Sequence, residues 1–199
     1  MFDSHNIRMR ILSTRTGSEL PGLYALYNQS QYWTEDVMTS FQNTRLRNLF
    51  VHCQTNSPFY ARIIDAAGIN AKSATIADLK SLPILAKSDI KNNHKDIVAK
   101  NLGELPLVRS GKTGGTTGEP LVFFTDAHRS ASVWAAFYRY YDWIGVSLAS
   151  SKLIIWGQPI VNNSIGKSFK SYIVNHLSNS KYLDAFRISD KHFDEYAAA

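Results

Sequence analysis

The residues with the clearest capacity for chemistry lie in one glycine-rich stretch, Ser110 to Pro120, which reads SGKTGGTTGEP. From Thr113 to Gly118 it combines three threonine hydroxyls with three glycines. Glycines let backbone N–H groups turn toward one point and approach a ligand closely, and hydroxyls add donors for anionic oxygens. The combination favours a phosphate-binding loop over its alternative, a plain hairpin turn, which needs fewer glycines and hydroxyls.

Two familiar phosphate loops do not fit this stretch. A Walker loop with Gly111 as its second glycine requires another glycine at position 106, where the chain has Pro106. Such a loop also runs into a helix, whereas the apolar run that begins at Leu121 predicts a strand. The glycine spacing does not match the dinucleotide fingerprint either. The Lys112–Thr113 pair is therefore not a Walker motif.

Elsewhere the sequence offers no convincing catalytic or metal-binding set. The six histidines, at positions 5, 52, 94, 128, 176 and 192, lack metal-ligand spacing among themselves or with Cys53. Cys53 lies on the apolar face of a predicted helix and fits a small core residue. Asp142 fits an ordinary carboxylate at a helix C-terminus. We assign no catalytic residue and no protein metal ligand from these patterns.

Composition places the chain among ordinary globular proteins. Of its 199 residues, 44% are hydrophobic, and no apolar run reaches the length of a membrane span. A single cysteine permits no internal disulfide, and the first twenty residues do not resemble a secretory signal, so we expect a cytoplasmic protein. The net charge of +6 raises the alternative of nucleic-acid binding, but the basic residues are scattered and form no known nucleic-acid motif.

The first hundred residues predict helices. Leu23, Leu26 and Tyr27 share a helical face within residues 21–31. Thr34 fits the cap of a long amphipathic helix that reaches Cys53, and Pro58 fits the first turn of a short helix ended by Gly68. Two further short helical turns are expected at residues 75–78 and 87–90.

Beyond Gly103 the pattern alternates between strands and helices, which indicates an α/β layer. Strands are predicted at residues 105–109, 121–125, 152–156 and 182–186. Helices are predicted at residues 126–144, 165–177 and from 189 onward. The first of these helices has Asp126 as its cap and carries an aromatic stripe, most of which we expect to be core rather than a base-stacking platform. The stripe comprises Trp134, Phe137, Tyr138, Tyr141 and Trp143.

The motif from Thr113 to Pro120, TGGTTGEP, resembles the phosphate loop of adenylate-forming (AMP-binding) enzymes. It is most similar to the phenylacetate–CoA ligase-like branch, which includes coenzyme F390 synthetase-like and capsular polysaccharide biosynthesis proteins. Residues 79–92 (LKSLPILAKSDIKN), 153–157 and 182–189 resemble flanking segments of that branch. The resemblance covers roughly residues 40 to 199, and the loop is its most specific part.

The residue pattern predicts a mainly helical N-terminal region, residues 1–104, and the resemblance implies that residues 105–199 form an incomplete α/β AMP-binding subdomain that carries the loop. The second region corresponds to part of the β-sheet/helix layer of the large N-terminal domain of these enzymes. The implied reaction activates a small-molecule carboxylic acid with ATP and Mg²⁺, and coenzyme A is the expected acceptor. The implied ATP-binding residues, which hold the β- and γ-phosphates, are Thr113, Gly114, Gly115, Thr116, Thr117 and Gly118.

The sequence departs from the family in two ways. Leu121 follows the loop proline, where many relatives outside this branch place a basic residue. The family's aromatic-Gly-x-Thr-Glu segment, ribose-binding aspartate and late catalytic lysine are not found in residues 1–199. We therefore expect the N-terminal part of a longer ligase. The alternative is an inactive remnant that acts as a binding or interaction module.

Overall fold

The structure is a computed structural model that describes residues 4–113, 120–156 and 179–185. Helices dominate the described part of the chain: α1 (Ser4–Thr16), α2 (Leu20–Ser30), α3 (Glu35–Asn56), α4 (Pro58–Ala66), α5 (Lys87–Asn92), α6 (His94–Ile97) and α7 (Ala127–Trp143). Two 3₁₀ turns lie at Ile76–Ser81 and Leu102–Glu104. The strands are β1 (Arg109–Lys112), β2 (Val122–Thr125), β3 (Lys152–Trp156) and β4 (Ser180–Asp184).

These elements group into two compact units, one formed by residues 1–27 with 131–199 and the other by residues 28–130. The domain boundary expected at residues 104/105 stays a prediction. Helices combine with two small sheets, which is consistent with the predicted α/β class. The complete sheet/helix layer of an adenylate-forming domain stays an expectation.

The first unit packs three helices around one apolar cluster. Its buried residues recur at helical spacing and are Met9, Leu12, Leu20, Leu23, Ala131, Ala135, Tyr138 and Leu148. The Tyr27 and Ser132 hydroxyl oxygens lie 2.6 Å apart and so share a hydrogen bond beside this cluster. In the same unit β3 and β4 pair in parallel, with Lys152 opposite Ser180.

The aromatic stripe of α7 is only partly core. Tyr138 is buried, and Trp134 and Tyr141 pack half-buried against the apolar cluster. Phe137 and Trp143 remain 50% and 59% exposed, so three of the five stripe residues belong to the core, in line with the expectation for most of the stripe. A helix buries only the face that meets its neighbours, and these two positions lie off that face.

The second unit is built around α3 and α4. Leu46 and Phe50 of α3 and Ile64 of α4 are buried together with Ile69, Ala71 and Ala74. The predicted helix signals are confirmed. The Thr34 hydroxyl accepts a bond from the Val37 backbone N–H at 3.5 Å, and Gly68 turns the chain at φ +68° after α4.

A polar junction joins α6 to the α3–α4 pair. The Ser57 hydroxyl lies 3.0 Å from both the Asp96 and the Ile97 carbonyl oxygens. The Lys100 backbone N–H donates to the Asn56 carbonyl at 2.8 Å. These bonds fix the segment that leads from α6 toward the glycine-rich loop.

The strand predicted at residues 105–109 is wrong in position. The 3₁₀ turn Leu102–Glu104 is followed by Pro106, which has no N–H to donate, and by Leu107 at φ +54°. Both features belong to a turn, so β1 begins only at Arg109. The last predicted strand is displaced as well, because β4 runs from Ser180 to Asp184. The helices predicted at 165–177 and from 189 onward lie outside the described residues.

Candidate phosphate-binding site

The glycine-rich loop joins the two strands of an antiparallel hairpin. Arg109 pairs with Thr125 and Lys112 pairs with Val122, which makes the loop the direct connection between β1 and β2. A Walker loop would run into a helix, whereas here a four-residue strand follows and α7 begins only at Ala127. The hairpin therefore agrees with the rejection of the Walker motif.

Thr113 closes the hairpin at the base of the loop. Its backbone N–H donates to the Leu121 carbonyl at 3.0 Å, and its hydroxyl oxygen accepts from the Leu121 N–H at 2.9 Å. These two bonds hold the ends of the loop together. Among the described residues, no acceptor lies within hydrogen-bond distance of the Thr113 hydroxyl proton.

The other predicted loop residues are outside the described part of the chain. They are Gly114, Gly115, Thr116, Thr117 and Gly118, and their contacts to phosphate stay predictions. The structure thus locates the two ends of the loop, Thr113 and Pro120. The pairing of β1 with β2 fixes where the loop begins and where it ends.

Gly111, which sequence reasoning treated only as a possible Walker glycine, has a packing role. It pairs with Phe123 across the hairpin, and the phenyl ring covers the space that a side chain would need. A Cβ atom built on Gly111 would lie 2.7 Å from Cζ of Phe123, well inside ordinary contact distance. Glycine at this position therefore lets Phe123 lie flat against β1.

A cavity of about 640 Å³, here called the β2 cavity, lies beside the base of the loop. Thr113 and Leu121 to Asp126 form one wall, and residues of α4, α5 and α6 form the other, including Tyr60, Ile90 and His94. The His94 and Phe124 ring centroids are 6.3 Å apart. Most of the wall is apolar.

Charged groups lie at the start of α7, next to this cavity. The Asp126 carboxylate caps the helix by accepting a bond from the Arg129 backbone N–H at 2.8 Å, as the sequence predicts. The Arg129 side chain is exposed, and so is Lys112 at the end of β1. Both basic side chains can therefore add positive potential to the region around the loop.

Cys53 and Asp142, the other residues considered from the sequence, have structural roles in the fold. Burial raises the pKa of the Cys53 thiol, which disfavours the thiolate that a nucleophile needs. In the first unit, the Tyr24 hydroxyl donates to the Asp142 carboxylate at 2.5 Å.

Among the described residues, no group of three or more His, Cys, Asp or Glu side chains could hold a metal ion. None of the described helices has both the length and the apolar character of a membrane span.

Comparison with known proteins finds relatives that match part of the chain. No family model matches the chain. It is 31% identical to Protein CapK of Staphylococcus aureus over 120 residues, which are 60% of this chain and 26% of CapK. It is 33% identical to the phenylacetate-coenzyme A ligase of Escherichia coli strain K12 over 89 residues, or 44% of this chain and 20% of the ligase. The same enzyme of Thermus thermophilus is 30% identical over 89 residues.

Over part of its length the chain is similar to phenylacetate-coenzyme A ligases and to CapK. The predicted resemblance to the adenylate-forming family is confirmed at that level. The matched segments span only about a fifth to a quarter of the relatives' own lengths, 20% for the ligases and 26% for CapK.

The sequence motif marks the loop itself but not two residues beside it, Gly111 and His94. The packing role of Gly111 could be predicted only from the hairpin register, which places it opposite Phe123. His94 carries no sequence motif, and only the packing of α6 against β2 brings it into the cavity wall. A contact between residues 30 positions apart leaves no local signal in one sequence.

Proposed function

We propose that this chain carries the phosphate-binding hairpin of an ATP-dependent, adenylate-forming ligase. The ligase would transfer the AMP part of ATP to a carboxylic acid with release of pyrophosphate, and would then pass the acyl group to a thiol, coenzyme A, with release of AMP. The relatives that the chain resembles are named phenylacetate-coenzyme A ligases, which supports a carboxylic acid substrate and coenzyme A as the acceptor. The observation that carries the proposal is the hairpin closed by Thr113 at the base of a loop rich in glycine and threonine.

The hairpin suits a loop that must hold the β- and γ-phosphates of ATP. Its ends are fixed by the paired strands and by the Thr113–Leu121 bonds, so less conformational entropy is lost when a ligand orders the loop. Thr113 can donate its hydroxyl proton to a phosphate oxygen while its oxygen still accepts from Leu121. Thr116 and Thr117 would add two more hydroxyl donors, and the three glycines would bring backbone N–H groups close.

Attack of a carboxylate on the α-phosphorus brings two anions together, so charge neutralisation and positioning are the main requirements. Mg²⁺ bound to ATP would supply charge by bridging phosphate oxygens. The exposed Lys112, directly before Thr113, is placed to add positive charge on the protein side. The protein's own task in this region is to grip and orient the triphosphate.

The test is a MgATP titration of the purified chain by calorimetry, with matched threonine variants. Thr116→Ala/Thr117→Ala should weaken MgATP binding at least tenfold, because two hydrogen bonds to charged oxygens are removed. The control is Thr44→Ala/Thr55→Ala, which removes two exposed hydroxyls that donate to the Ser40 and Val51 carbonyls of their own helix α3. Equal binding by wild type and both variants would contradict the proposal.

A second candidate is an interaction module without catalytic activity. It is favoured by the exposed apolar side chains of β2, since Val122, Phe123 and Phe124 are 36–41% exposed on a two-stranded sheet. Such strands promote association. Sedimentation velocity distinguishes the candidates: self-association that Phe123→Ser abolishes, without any MgATP binding by the wild type, would favour the module.

A further inference from the structure

Arg129 brings a positive charge to the same cavity as the base of the proposed phosphate loop. Among the described residues that line the β2 cavity, it is the only arginine or lysine. Thr113, whose two bonds to Leu121 close the loop, lines the cavity as well. A guanidinium stays charged at any physiological pH. The cavity therefore places a permanent cation and the first residue of the loop motif around one space.

Two backbone bonds hold the start of α7, from which Arg129 projects. The Ala127 N–H donates to the Pro106 carbonyl at 3.1 Å, and the Arg129 N–H donates to the Asp126 carboxylate at 2.8 Å. The first bond ties α7 to the segment that enters the hairpin, because Pro106 lies shortly before β1. Side chains of a helix lean toward its N-terminus, and that end of α7 follows directly after β2. Arg129 therefore leans back toward the hairpin from an anchored backbone.

The guanidinium of Arg129 makes no hydrogen bond or ion pair with another residue in the described part of the chain. Asp126 is the only carboxylate in the described lining of the cavity, and its bond is to the Arg129 backbone N–H rather than to the guanidinium. The planar fork of N–H donors is therefore open to a ligand. Such a fork fits two oxygens of one phosphate group.

Lys112 does not share this arrangement, although it is next to Thr113 in sequence. Successive side chains of an extended strand point to opposite faces, and the Thr113 N–H continues the ladder by bonding to the Leu121 carbonyl. Thr113 is in the described lining of the β2 cavity, and Lys112 is not. Lys112 can therefore add only general positive potential, whereas Arg129 shares a cavity with the Thr113 side chain.

We propose that Arg129 is a phosphate-binding residue of the hairpin site, whose guanidinium donates to the phosphate group of ATP that the Thr113 hydroxyl also contacts. This role rests on the proposed function, because it takes the loop as the site of the triphosphate. It adds to that site a residue outside the glycine-rich motif. Arg129 contacts phosphate oxygens and not the nucleoside, so its contribution should be the same for ATP and for inorganic tripolyphosphate.

The experiment titrates the 199-residue chain with MgATP and with magnesium tripolyphosphate by calorimetry. Arg129→Gln should weaken both ligands at least fivefold and by similar factors, because charge-assisted hydrogen bonds are lost. Arg129→Lys keeps the charge but not the fork, so it should weaken both at least twofold. The matched control is Arg45→Gln, which removes the same charge from an exposed arginine that lies over the Phe41 ring on α3. It should change both affinities less than twofold at about 0.15 M salt, which screens distant charges.

A direct readout is the Nε–Hε signal of Arg129 in the ¹H–¹⁵N spectrum, assigned by its absence from Arg129→Gln. It should shift saturably as tripolyphosphate is added. If Arg129→Gln proves unfolded by circular dichroism, Arg129→Lys and this signal carry the test.

The outcomes separate this role from the proposed function. Wild type that binds MgATP while Arg129→Gln or Arg129→Lys binds equally well would overturn the role of Arg129 alone. A loss confined to MgATP, with tripolyphosphate affinity unchanged, would also overturn it, since the contact would then be to the nucleoside. Folded wild type that binds neither ligand would overturn both the role and the proposed function.

Discussion

The ring of Phe123 covers Gly111 so closely that a Cβ atom at residue 111 would lie 2.7 Å from its Cζ atom and 2.9 Å from its Cε2 atom. This contact spans the hairpin two residues before Thr113, at the base of the proposed phosphate loop. The hairpin therefore depends on a glycine outside the loop motif itself.

Gly111→Ala should lower the free energy of unfolding by about 1–2 kcal/mol, because the new methyl group must displace the Phe123 ring. Chemical denaturation measures this change. Gly103→Ala is the control, since nothing lies within 4 Å of a Cβ built there. The double variant Gly111→Ala/Phe123→Val should recover much of the loss; a double variant no more stable than Gly111→Ala would refute the steric explanation.

Thr113→Val should loosen the base of the loop while preserving side-chain shape. Valine cannot accept the bond from the Leu121 N–H, whose length is 2.9 Å in the structure. We expect the Leu121 amide to exchange with solvent about 5–10-fold faster, which corresponds to the loss of a net hydrogen bond of about 1 kcal/mol. Hydrogen exchange followed by NMR measures this. Thr113→Ser should retain the wild-type rate, and equal rates in all three proteins would contradict the closing role.

Leu107→Gly should stabilise the protein even though it removes a large side chain. Leu107 has φ +54°, a left-handed conformation that glycine adopts readily, and it is 54% exposed, so little packing is lost. The expected gain is about 0.5–1 kcal/mol in the free energy of unfolding. Gly68→Ala is the reciprocal control, because φ +68° there should make alanine destabilising. A less stable Leu107→Gly variant would contradict this account.

The ionised Asp78 carboxylate should increase the free energy of unfolding, and this contribution should disappear in acid. The Thr75 backbone N–H and hydroxyl donate to its carboxylate at 2.7 and 2.9 Å and hold its pKa below the ordinary value of 3.8. Because the folded-state pKa is depressed, the contribution is present above 3.8 and is lost as pH falls toward the folded value. Below pH 3.8 wild type should therefore lose stability more steeply than Asp78→Asn. NMR titration of Asp78 and unfolding at several pH values test this, and parallel curves would contradict it.

Local signals in the sequence located most helices in the described residues. The threonine at position 34 and the glycine at 68 mark helix ends that the structure confirms, because capping and left-handed turns depend on residues close in sequence. Strand positions were less accurate. An apolar run from Leu105 suggested a strand, but Pro106 and the left-handed Leu107 make that segment a turn. Helix α1, rich in polar residues, was not identified individually within the region predicted to be mainly helical.

Of the candidate site, the sequence predicts the loop but not the contacts around it, for the same reason. Its loop motif is contiguous, so composition alone marked Thr113 and its neighbours. Contacts between elements distant in sequence, such as Gly111 with Phe123 and His94 with Phe124, required the structure. The exposed positions of Phe137 and Trp143 on α7 follow from which face meets a neighbouring element, and one sequence does not specify that face.

The most direct test of the central proposal is a map of backbone amide shifts when MgATP is added to the chain. We predict saturable shifts concentrated at residues 111–123, with no comparable change near Thr44 and Thr55 on α3. Thr116→Ala/Thr117→Ala should suppress these shifts without altering the rest of the spectrum. Saturable binding that leaves residues 111–123 unchanged, or no binding by a folded chain, would contradict the assignment of the hairpin as a phosphate-binding site.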